Sequence, residues 1–277
     1  MKTPTLFLGG IAVVALRVLS LEGASLGAET RGPEDLAVED CLSQGVVVEE
    51  FEVPIGITKP KRLVVECEGE RIQAIFKHVN KVKRGRTRFG SGRSELNFTD
   101  SYKYERAAYL LDRVLGIHRV PVAVIREIKG RDGALVQWLE NASMEAQLGR
   151  SLTTQERIDL ARQKSTMHLF DALIYNTDRR TENWLIGHDD LRLYLIDHSR
   201  AFRTQTELPE NFVKRPARLS HDLNAKLQDL NGDSLTTLLE GLIDRAQIRA
   251  LLARRDLIVE KISQDIETHG PDTILSD

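Results

Sequence analysis

Short apolar runs and helical stripes divide the first half of the chain into predictable elements. Short runs of Val, Ile and Leu indicate strands when polar turns bound them. Apolar positions that recur every three to four residues indicate an amphipathic helix. The pattern therefore predicts a β-hairpin, a helix and a second hairpin. The predicted strands are 46–48, 63–67, 72–77, 120–128 and 134–139, the predicted helix is 102–115, and the predicted hairpin turns are 68–70 and 129–133.

The second half of the chain is predicted to be mostly helical. Thr153 and Glu156 form the capping-box pattern at the start of an amphipathic stretch that runs to Tyr175. The remaining predicted elements are strands 184–186 and 191–196 around the turn 187–190, helices across 222–267, and a polar, Gly-rich loop across 81–101.

The first 28 residues differ from the rest of the chain. Lys2 precedes an apolar run that reaches Leu16, and small residues cluster from Gly23 to Ala28. This order is typical of a secretory signal peptide, and the run is too short to span a bilayer comfortably. An uncleaved membrane anchor and a buried helix are the alternatives. The favoured interpretation predicts a secreted or periplasmic protein with no transmembrane span after processing, and an extension over 29–45.

The composition is that of a globular protein with a sizeable core. The 277 residues are 41% hydrophobic and 29% charged, and 39 basic against 41 acidic residues give a net charge of −2. This balance argues against nucleic acid or an anionic membrane as a partner. Basic residues are concentrated only in 81–93. That patch is either a solvated loop or a surface that attracts phosphates or an acidic substrate.

The chain has two cysteines, Cys41 and Cys67. An even count in an exported protein is compatible with a disulfide. Two buried thiols are the alternative, because Cys67 lies in an alternating strand pattern. Without clustered histidines the pair does not form a zinc signature.

The most informative chemical pattern is an Asp, an Asn and a second Asp. Asp178 and Asn183 are five residues apart, which is the spacing of the protein-kinase catalytic loop, and Asp197 follows the next apolar run. In kinases the first Asp takes the proton of the acceptor hydroxyl, while the Asn and the second Asp hold the metal ions. This spacing also occurs by chance. The preceding helix and the following hairpin favour the catalytic interpretation, because a hairpin returns Asp197 to Asn183.

Two charged residues in the first half fit the same chemistry. Lys77 ends an apolar strand, and Glu105 lies in the first turn of the predicted helix. A Lys at a strand end is usually solvated, and a Glu near a helix N-terminus complements the helix dipole without any other role. In kinases such a Lys binds the α- and β-phosphates and pairs with a helix Glu. The order of strand, helix and loop favours that function for both residues.

Two parts of the chain resemble known kinase families. Residues 104–126, with Glu105, resemble the Golgi secretory-pathway kinases, the family of the casein kinase and the xylosyl kinase. The loop 176–183 is similar to the Asn-x-Asp-Arg-His-x-x-Asn loop of phosphatidylinositol-kinase-like and HipA-type enzymes. Residues 196–202 are similar to the metal-binding segment of both groups. The resemblance covers roughly residues 55–205.

The resemblance implies a fold class, cofactors and residue roles. The fold would be α+β and two-lobed, with a small β-rich N-lobe that carries one helix (46–140) and a larger, mostly helical C-lobe (141–277). The cofactors would be ATP and Mg²⁺ or Mn²⁺. Asp178 would be the catalytic acid/base. Lys77 would bind phosphate, and Glu105 would support it by pairing with Lys77 or would join the metal site with Asn183 and Asp197. Adenine would lie against the strand and linker 135–140, which include Gln137 and Leu139.

The chain departs from the family pattern at three places. Arg180 replaces the usual His of the loop, and Ser199 replaces a Gly after Asp197. No Gly-x-Gly-x-x-Gly motif precedes Lys77, so the candidate phosphate cover is the segment 56–61. Atypical kinases often lack that motif, so its absence affects nucleotide positioning more than the assignment.

The sequence therefore predicts an exported, ATP-dependent kinase that transfers the γ-phosphoryl group to a hydroxyl of a protein, a sugar or a lipid head group. A catalytically inactive pseudokinase that binds nucleotide or acts as a scaffold is the first alternative. The others are a cytoplasmic toxin kinase of the HipA type and a structural envelope protein with a chance motif. The intact set of site residues argues against the pseudokinase, which is the first alternative. The N-terminal segment argues against the cytoplasmic toxin kinase, which is the second. Nucleotide binding would exclude the third.

Overall fold

The computed structural model describes residues 30–53, 60–83, 85–88, 92, 94–96 and 98–276. The predicted signal peptide lies outside the described residues, as do positions 56–59 of the candidate phosphate cover. Among the helices of the described part, none combines the length and the apolar character needed to cross a membrane.

Strands dominate the first half of the described chain and helices the second. The helices are Pro33–Gln44 (α1), Lys103–Val114 (α2), Thr154–Leu173 (α3), Glu210–Val213 (α4), His221–Asp229 (α5), Gly232–Leu238 (α6), Arg245–His269 (α7) and Pro271–Ile274 (α8). The strands are Val46–Glu52 (β1), Lys61–Cys67 (β2), Glu70–Lys77 (β3), Asn80–Val82 (β4), Arg86–Arg88 (β5), Ser94–Leu96 (β6), Thr99–Ser101 (β7), Ala123–Ile128 (β8), Arg131–Gln137 (β9), Ala142–Ser143 (β10), Trp184–Gly187 (β11) and Leu193–Leu195 (β12).

The main sheet has five antiparallel strands in the order β1-β2-β3-β9-β8. Tight two-residue turns join β2 to β3 and β8 to β9. Glu68 and Gly69 have φ of 51° and 86°, and Lys129 and Gly130 have φ of 50° and 76°. Two consecutive left-handed residues suit the twist of a hairpin. The predicted turn 129–133 is therefore too long, because the residues that follow Gly130 already pair in β9.

The two faces of the sheet have different neighbours. Leu63, Ala74 and Phe76 point to one face and are buried, and α1 and α2 pack against this sheet. Ile75 and Lys77 alternate with these residues along β3, so they lie on the opposite face. Ile75 and Lys77 are themselves half-buried, and Lys77 is the residue of this face that belongs to the candidate site.

Helix α1 lies within the predicted extension 29–45 and is part of the fold. Its Leu42 is fully buried, and its Cys41 forms a disulfide with Cys67 of β2, with the two Cα atoms 5.6 Å apart. The disulfide is thus the correct alternative for the two cysteines. Helix α1 also adds a second helix to the β-rich part, next to the expected α2. Its polar sequence, with acidic residues in the first turn, gives little sign of the buried side.

Short strands occupy much of the predicted loop 81–101. Strand β4 pairs with β7, and β5 pairs with β6, each over three residues. The loop prediction is wrong for these segments, because strands of three residues are too short to show an alternation of apolar and polar positions. The backbone N–H of Ser101 donates to the carbonyl of Ser199 at 2.8 Å. This bond ties the β4–β7 ladder to the segment that follows Asp197.

The helical half confirms the predicted start of α3. The Glu156 N–H donates to Thr153 Oγ1 at 3.3 Å, and the Thr153 N–H donates to Glu156 Oε2 at 2.7 Å, which completes the capping box. The fully buried Arg254 of α7 donates to the carbonyl of Leu173 at 2.9 Å. Helix α7 therefore fixes the end of α3, from which the candidate catalytic loop departs.

Candidate active site

Lys77 connects the sheet, helix α2 and the segment after β12. Its Nζ lies 2.6 Å from Glu105 Oε1 and 3.0 Å from Asp197 Oδ1. The three residues are distant in sequence and come from three different elements. The sequence prediction that Lys77 and Glu105 would pair agrees with this geometry, and Asp197 joins them.

The charges of this triad stabilise one another. Burial alone lowers the pKa of Lys77, but the carboxylates of Glu105 and Asp197 outweigh it and raise that pKa well above its usual range. Burial likewise opposes ionisation of Glu105, yet Lys77 and His198 lower the pKa of Glu105 far below its usual range. Both groups are therefore charged at neutral pH.

Helix α1 holds α2 in the orientation that presents Glu105. The buried carboxylate of Glu39 accepts a hydrogen bond from the hydroxyl of Tyr109 at 2.6 Å and pairs with Arg106 at 2.7 Å. Asp35 pairs with Arg113 one turn further along α2. Since Arg106 is adjacent to Glu105, these contacts fix the part of α2 that reaches Lys77.

A buried polar network links Glu105 to the candidate catalytic loop. The backbone nitrogen of His198 lies 3.2 Å from both carboxylate oxygens of Glu105, and the ring nitrogen Nδ1 of His198 lies 3.5 Å from Oε2. Arg179 Nη2 lies 3.1 Å from His198 Nε2 and also pairs with Asp171 at 2.8 Å. We call Glu105, His198, Arg179 and Asp171 the buried network. It links helix α2 to the candidate catalytic loop through groups of the protein itself.

His198 is neutral within this network. Its side chain is 0% exposed, and burial lowers its pKa. Arg179 can only donate, so His198 Nε2 accepts and the proton resides on Nδ1, which faces Glu105. His198 is not among the residues that the sequence predicts for the site, although its position directly after Asp197 is a usable signal.

Hydrogen bonds from the side chains of Asn176 and Asn183 order the loop between them. Asn176 Nδ2 donates to Asp171 Oδ1 at 3.0 Å, and Asn176 Oδ1 accepts from the Asp178 N–H at 3.2 Å. Asn183 Nδ2 donates to the Asp178 carbonyl at 2.9 Å. Because both ends of the loop are fixed in this way, the side chain of Asp178 is presented from a rigid turn.

Two arginines contact the carboxylate of Asp178. Arg180 Nη2 lies 3.1 Å from Oδ1, and Arg200 Nη1 lies 3.3 Å from Oδ2. Asp171 and Glu182 are the other acids near this loop. Asp171 is committed to Arg179 in the buried network, and Glu182 lies on the exposed surface beside Thr181.

The hairpin β11–β12 brings Asn183 and Asp197 together, as the sequence predicted. Trp184 pairs with Leu195, and the Ile196 N–H donates to the Asn183 carbonyl at 3.2 Å. Among the described residues, neither Asn183 Oδ1 nor Asp197 Oδ2 has a hydrogen-bond partner, and the Asp197 side chain is 47% exposed. We call Asp178, Asn183 and Asp197 the site edge.

The donor set of the site edge fits a divalent cation. Carboxylate and amide oxygens are the ligands that Mg²⁺ and Mn²⁺ prefer. In the described residues no three His, Cys, Asp or Glu side chains form a metal-binding group by themselves. A cation here would therefore depend on the amide of Asn183 and on oxygens of the bound phosphates, as is common for Mg²⁺.

The predicted adenine-binding residues lie at the end of β9. The Gln137 N–H donates to the Val122 carbonyl at 2.8 Å, so it is already engaged. Within the described chain the backbone N–H and C=O of the half-buried Leu139 form no hydrogen bond. A concavity of about 360 Å³ lies on the same face of the sheet as Lys77. It is lined by Glu49, Phe51, Arg62, Val64, Arg71, Gln73 and Glu140.

Solved structures with a similar fold include kinases. The structure of hydra Fam20 with sugar matches with a TM-score of 0.63 at 15% identity, over 88% of this chain and 92% of that chain. The Golgi casein kinase with Mn/ADP bound matches with a TM-score of 0.62 at 16% identity, over 87% and 78%. The Helicobacter pylori proinflammatory kinase CtkA matches with a TM-score of 0.50 at 10% identity, over 82% and 98%. No family model and no curated protein matches the sequence.

At these identities the likeness defines the fold. The chain has an atypical kinase-like fold with the predicted two-lobed α+β architecture.

Proposed function

We propose that this chain is an ATP-dependent kinase that transfers the γ-phosphoryl group to a hydroxyl acceptor. The observation that carries the proposal is the contact of Lys77 with both Glu105 and Asp197 inside a kinase-like fold. Lys77 binds the α- and β-phosphates, and Glu105 orients Lys77 for that purpose. Asp178 aligns the acceptor hydroxyl and accepts its proton.

Asn183 and Asp197 hold Mg²⁺ or Mn²⁺ in this proposal. The ion would supply positive charge that neutralises the phosphates. Glu105 is assigned to Lys77 and not to the metal, because both of its oxygens face donors from Lys77 and His198. Adenine lies against the face of the sheet that carries Lys77, where the unbonded backbone of Leu139 offers a donor and an acceptor to its edge. Gln137 stands opposite Ala74 in the ladder, so its side chain points to the other face of the sheet.

The chain's own residues act mainly by positioning. The buried network fixes Asp178 relative to Lys77, so that the acceptor and the nucleotide meet in one orientation. The acceptor is a hydroxyl of a protein, a sugar or a lipid head group, and the reaction takes place outside the cytoplasm, as the N-terminal segment predicts.

A pseudokinase is the second candidate, and one observation favours it. The carboxylate of Asp178 is occupied by Arg180 and Arg200. If these pairs persisted in the presence of ATP and acceptor, Asp178 could not accept a proton. The chain would then bind nucleotide without transferring phosphate.

Nucleotide binding and turnover of two variants test the proposal together. ATP with Mg²⁺ or Mn²⁺ should raise the melting temperature, because a ligand that binds only the folded state stabilises it. Asp178→Ala should retain that shift and lose metal-dependent ATP turnover by about 10²–10⁴-fold, the contribution of a positioned acid/base. Asp197→Ala should lose both the thermal shift and the ATP turnover, because it removes a charge from the metal site.

The outcomes separate the candidates. No thermal shift with any nucleotide and metal at millimolar concentration contradicts nucleotide binding. A shift without turnover in the wild type selects the pseudokinase. Full activity of Asp178→Ala contradicts the role given to Asp178.

A further inference from the structure

The two arginines at Asp178 come from different parts of the chain. Arg180 follows Asp178 in the loop, and its side chain is 56% exposed. Arg200 follows Asp197 by three residues and reaches back across the site to Asp178 Oδ2. The side chain of Arg200 therefore spans from the segment of the candidate metal ligand to the candidate acid/base.

The position of Arg200 is well defined. Its guanidinium carbon lies 5.1 Å from the ring centroid of Phe98, and its carbonyl accepts from Arg203 Nε at 3.2 Å. The neighbouring Ser199 carbonyl accepts from the Ser101 N–H at 2.8 Å. The short ladder of β4 and β7 thus supports the segment that carries Arg200.

Two other cations of the site, Lys77 and Arg179, contact groups other than Asp178. Lys77 is shared between Glu105 and Asp197. Arg179 is 5% exposed and is held by Asp171 and two backbone carbonyls. A γ-phosphoryl group at Asp178 would still need a positive charge at the point of transfer, since its equatorial oxygens carry charge in the transition state.

We propose that Arg200 is a further catalytic residue, which binds the transferring γ-phosphoryl group. This inference rests on the proposed kinase function. The acceptor oxygen forms a bond to the γ-phosphorus, the bond from that phosphorus to the β,γ-bridging oxygen breaks, ADP leaves, and the hydroxyl proton goes to Asp178. Arg200 forms no covalent bond. It moves its hydrogen bond from Asp178 Oδ2 to the phosphoryl oxygens, which also frees Oδ2 for the acceptor hydroxyl.

Binding of a transferring-phosphate mimic tests this role independently of turnover. The affinity for ADP with Mg²⁺ and aluminium fluoride is compared by calorimetry with that for ADP with Mg²⁺ alone. Wild type should bind the fluoride complex more tightly. Arg200→Gln should lose that preference, keep its ADP affinity, and lose turnover by about 10²–10³-fold, the effect of removing one transition-state donor. Arg200→Lys should recover part of the preference for the fluoride complex and part of the turnover, because lysine restores the positive charge but lacks the planar guanidinium group.

Arg180→Gln is the matched comparison, because it removes the other arginine from the same carboxylate. It should keep the preference for the fluoride complex. Arg200→Gln must also show a wild-type melting temperature without ligand.

Three results would overturn the inference. The first is an unchanged preference in Arg200→Gln, which leaves the kinase proposal standing. The second is an equal loss in Arg180→Gln, which assigns the effect to Asp178. The third is a wild type that binds no nucleotide, which rejects the kinase proposal as well.

Discussion

Glu105 and Asp197 contact the same ammonium group but lie in opposite surroundings. The side chain of Glu105 is 2% exposed, and both of its oxygens face donors from the protein. Asp197 is half-exposed and keeps one oxygen without a partner among the described residues. The same contrast separates the buried network from the site edge. Groups that hold the geometry contact other groups of the protein, whereas Asn183 and Asp197, which are assigned to the metal, each keep one oxygen without a partner among the described residues.

The same contrast separates residues that mainly stabilise the fold from residues that mainly serve the reaction. A buried ion pair is strongly destabilised when one partner is removed, because the other charge stays buried without compensation. An exposed ion pair contributes little to folding. Substitutions in the buried network should therefore reduce stability first, and substitutions at the site edge should reduce activity first.

Adjacent arginines give the largest expected difference. Arg179→Ala should lower the free energy of unfolding by about 3–5 kcal/mol, because Asp171 loses its buried partner. Arg180→Ala removes an exposed pair and should cost at most about 1 kcal/mol. Urea denaturation of both variants and wild type measures the difference. Equal losses in the two variants would contradict the division between the network and the edge.

Much of the fold and of the site edge could be predicted from the sequence. The capping box at Thr153 and the hairpin after Asn183 depend on local patterns, and the structure contains both. The buried network could not be predicted in this way. Its members Glu105, His198 and Arg179 are distant in sequence, and no periodicity reveals that a polar His is fully buried between them.

Helix α1 was missed for a related reason. Its buried side depends on Glu39, a charged residue whose partners Tyr109 and Arg106 lie on α2. A pattern of apolar residues cannot show a buried carboxylate that is satisfied by a distant helix. Cys41, which could pair with Cys67, was the sign in the sequence that this segment belongs to the fold.

Acidification offers a second, smaller test of the buried network. The folded-state pKa of Glu105 is lowered from about 4.5, so its stabilising contribution is complete above pH 4.5 and is lost as pH falls below that value. Glu105→Gln should reduce stability at neutral pH by about 1.5–3 kcal/mol, the value of hydrogen bonds to a charged group. The gap between wild type and variant should then narrow below pH 4.5. Thermal unfolding across this pH range measures the gap, and a gap independent of pH would show that Glu105 is not paired as a charged group.

The smallest expected effect on folding is at Asp178. Among the described residues its carboxylate pairs only with Arg180 and Arg200, which both reach the surface, while its backbone makes the bonds that order the loop. Asp178→Asn keeps the size and the backbone, so the free energy of unfolding should change by less than about 1 kcal/mol. ATP turnover should nevertheless fall, because an amide cannot accept the hydroxyl proton. Chemical denaturation and turnover are measured on the same preparation. A large loss of stability would place Asp178 with the buried network and would remove the basis for separating the groups that hold the site from the group that acts in it.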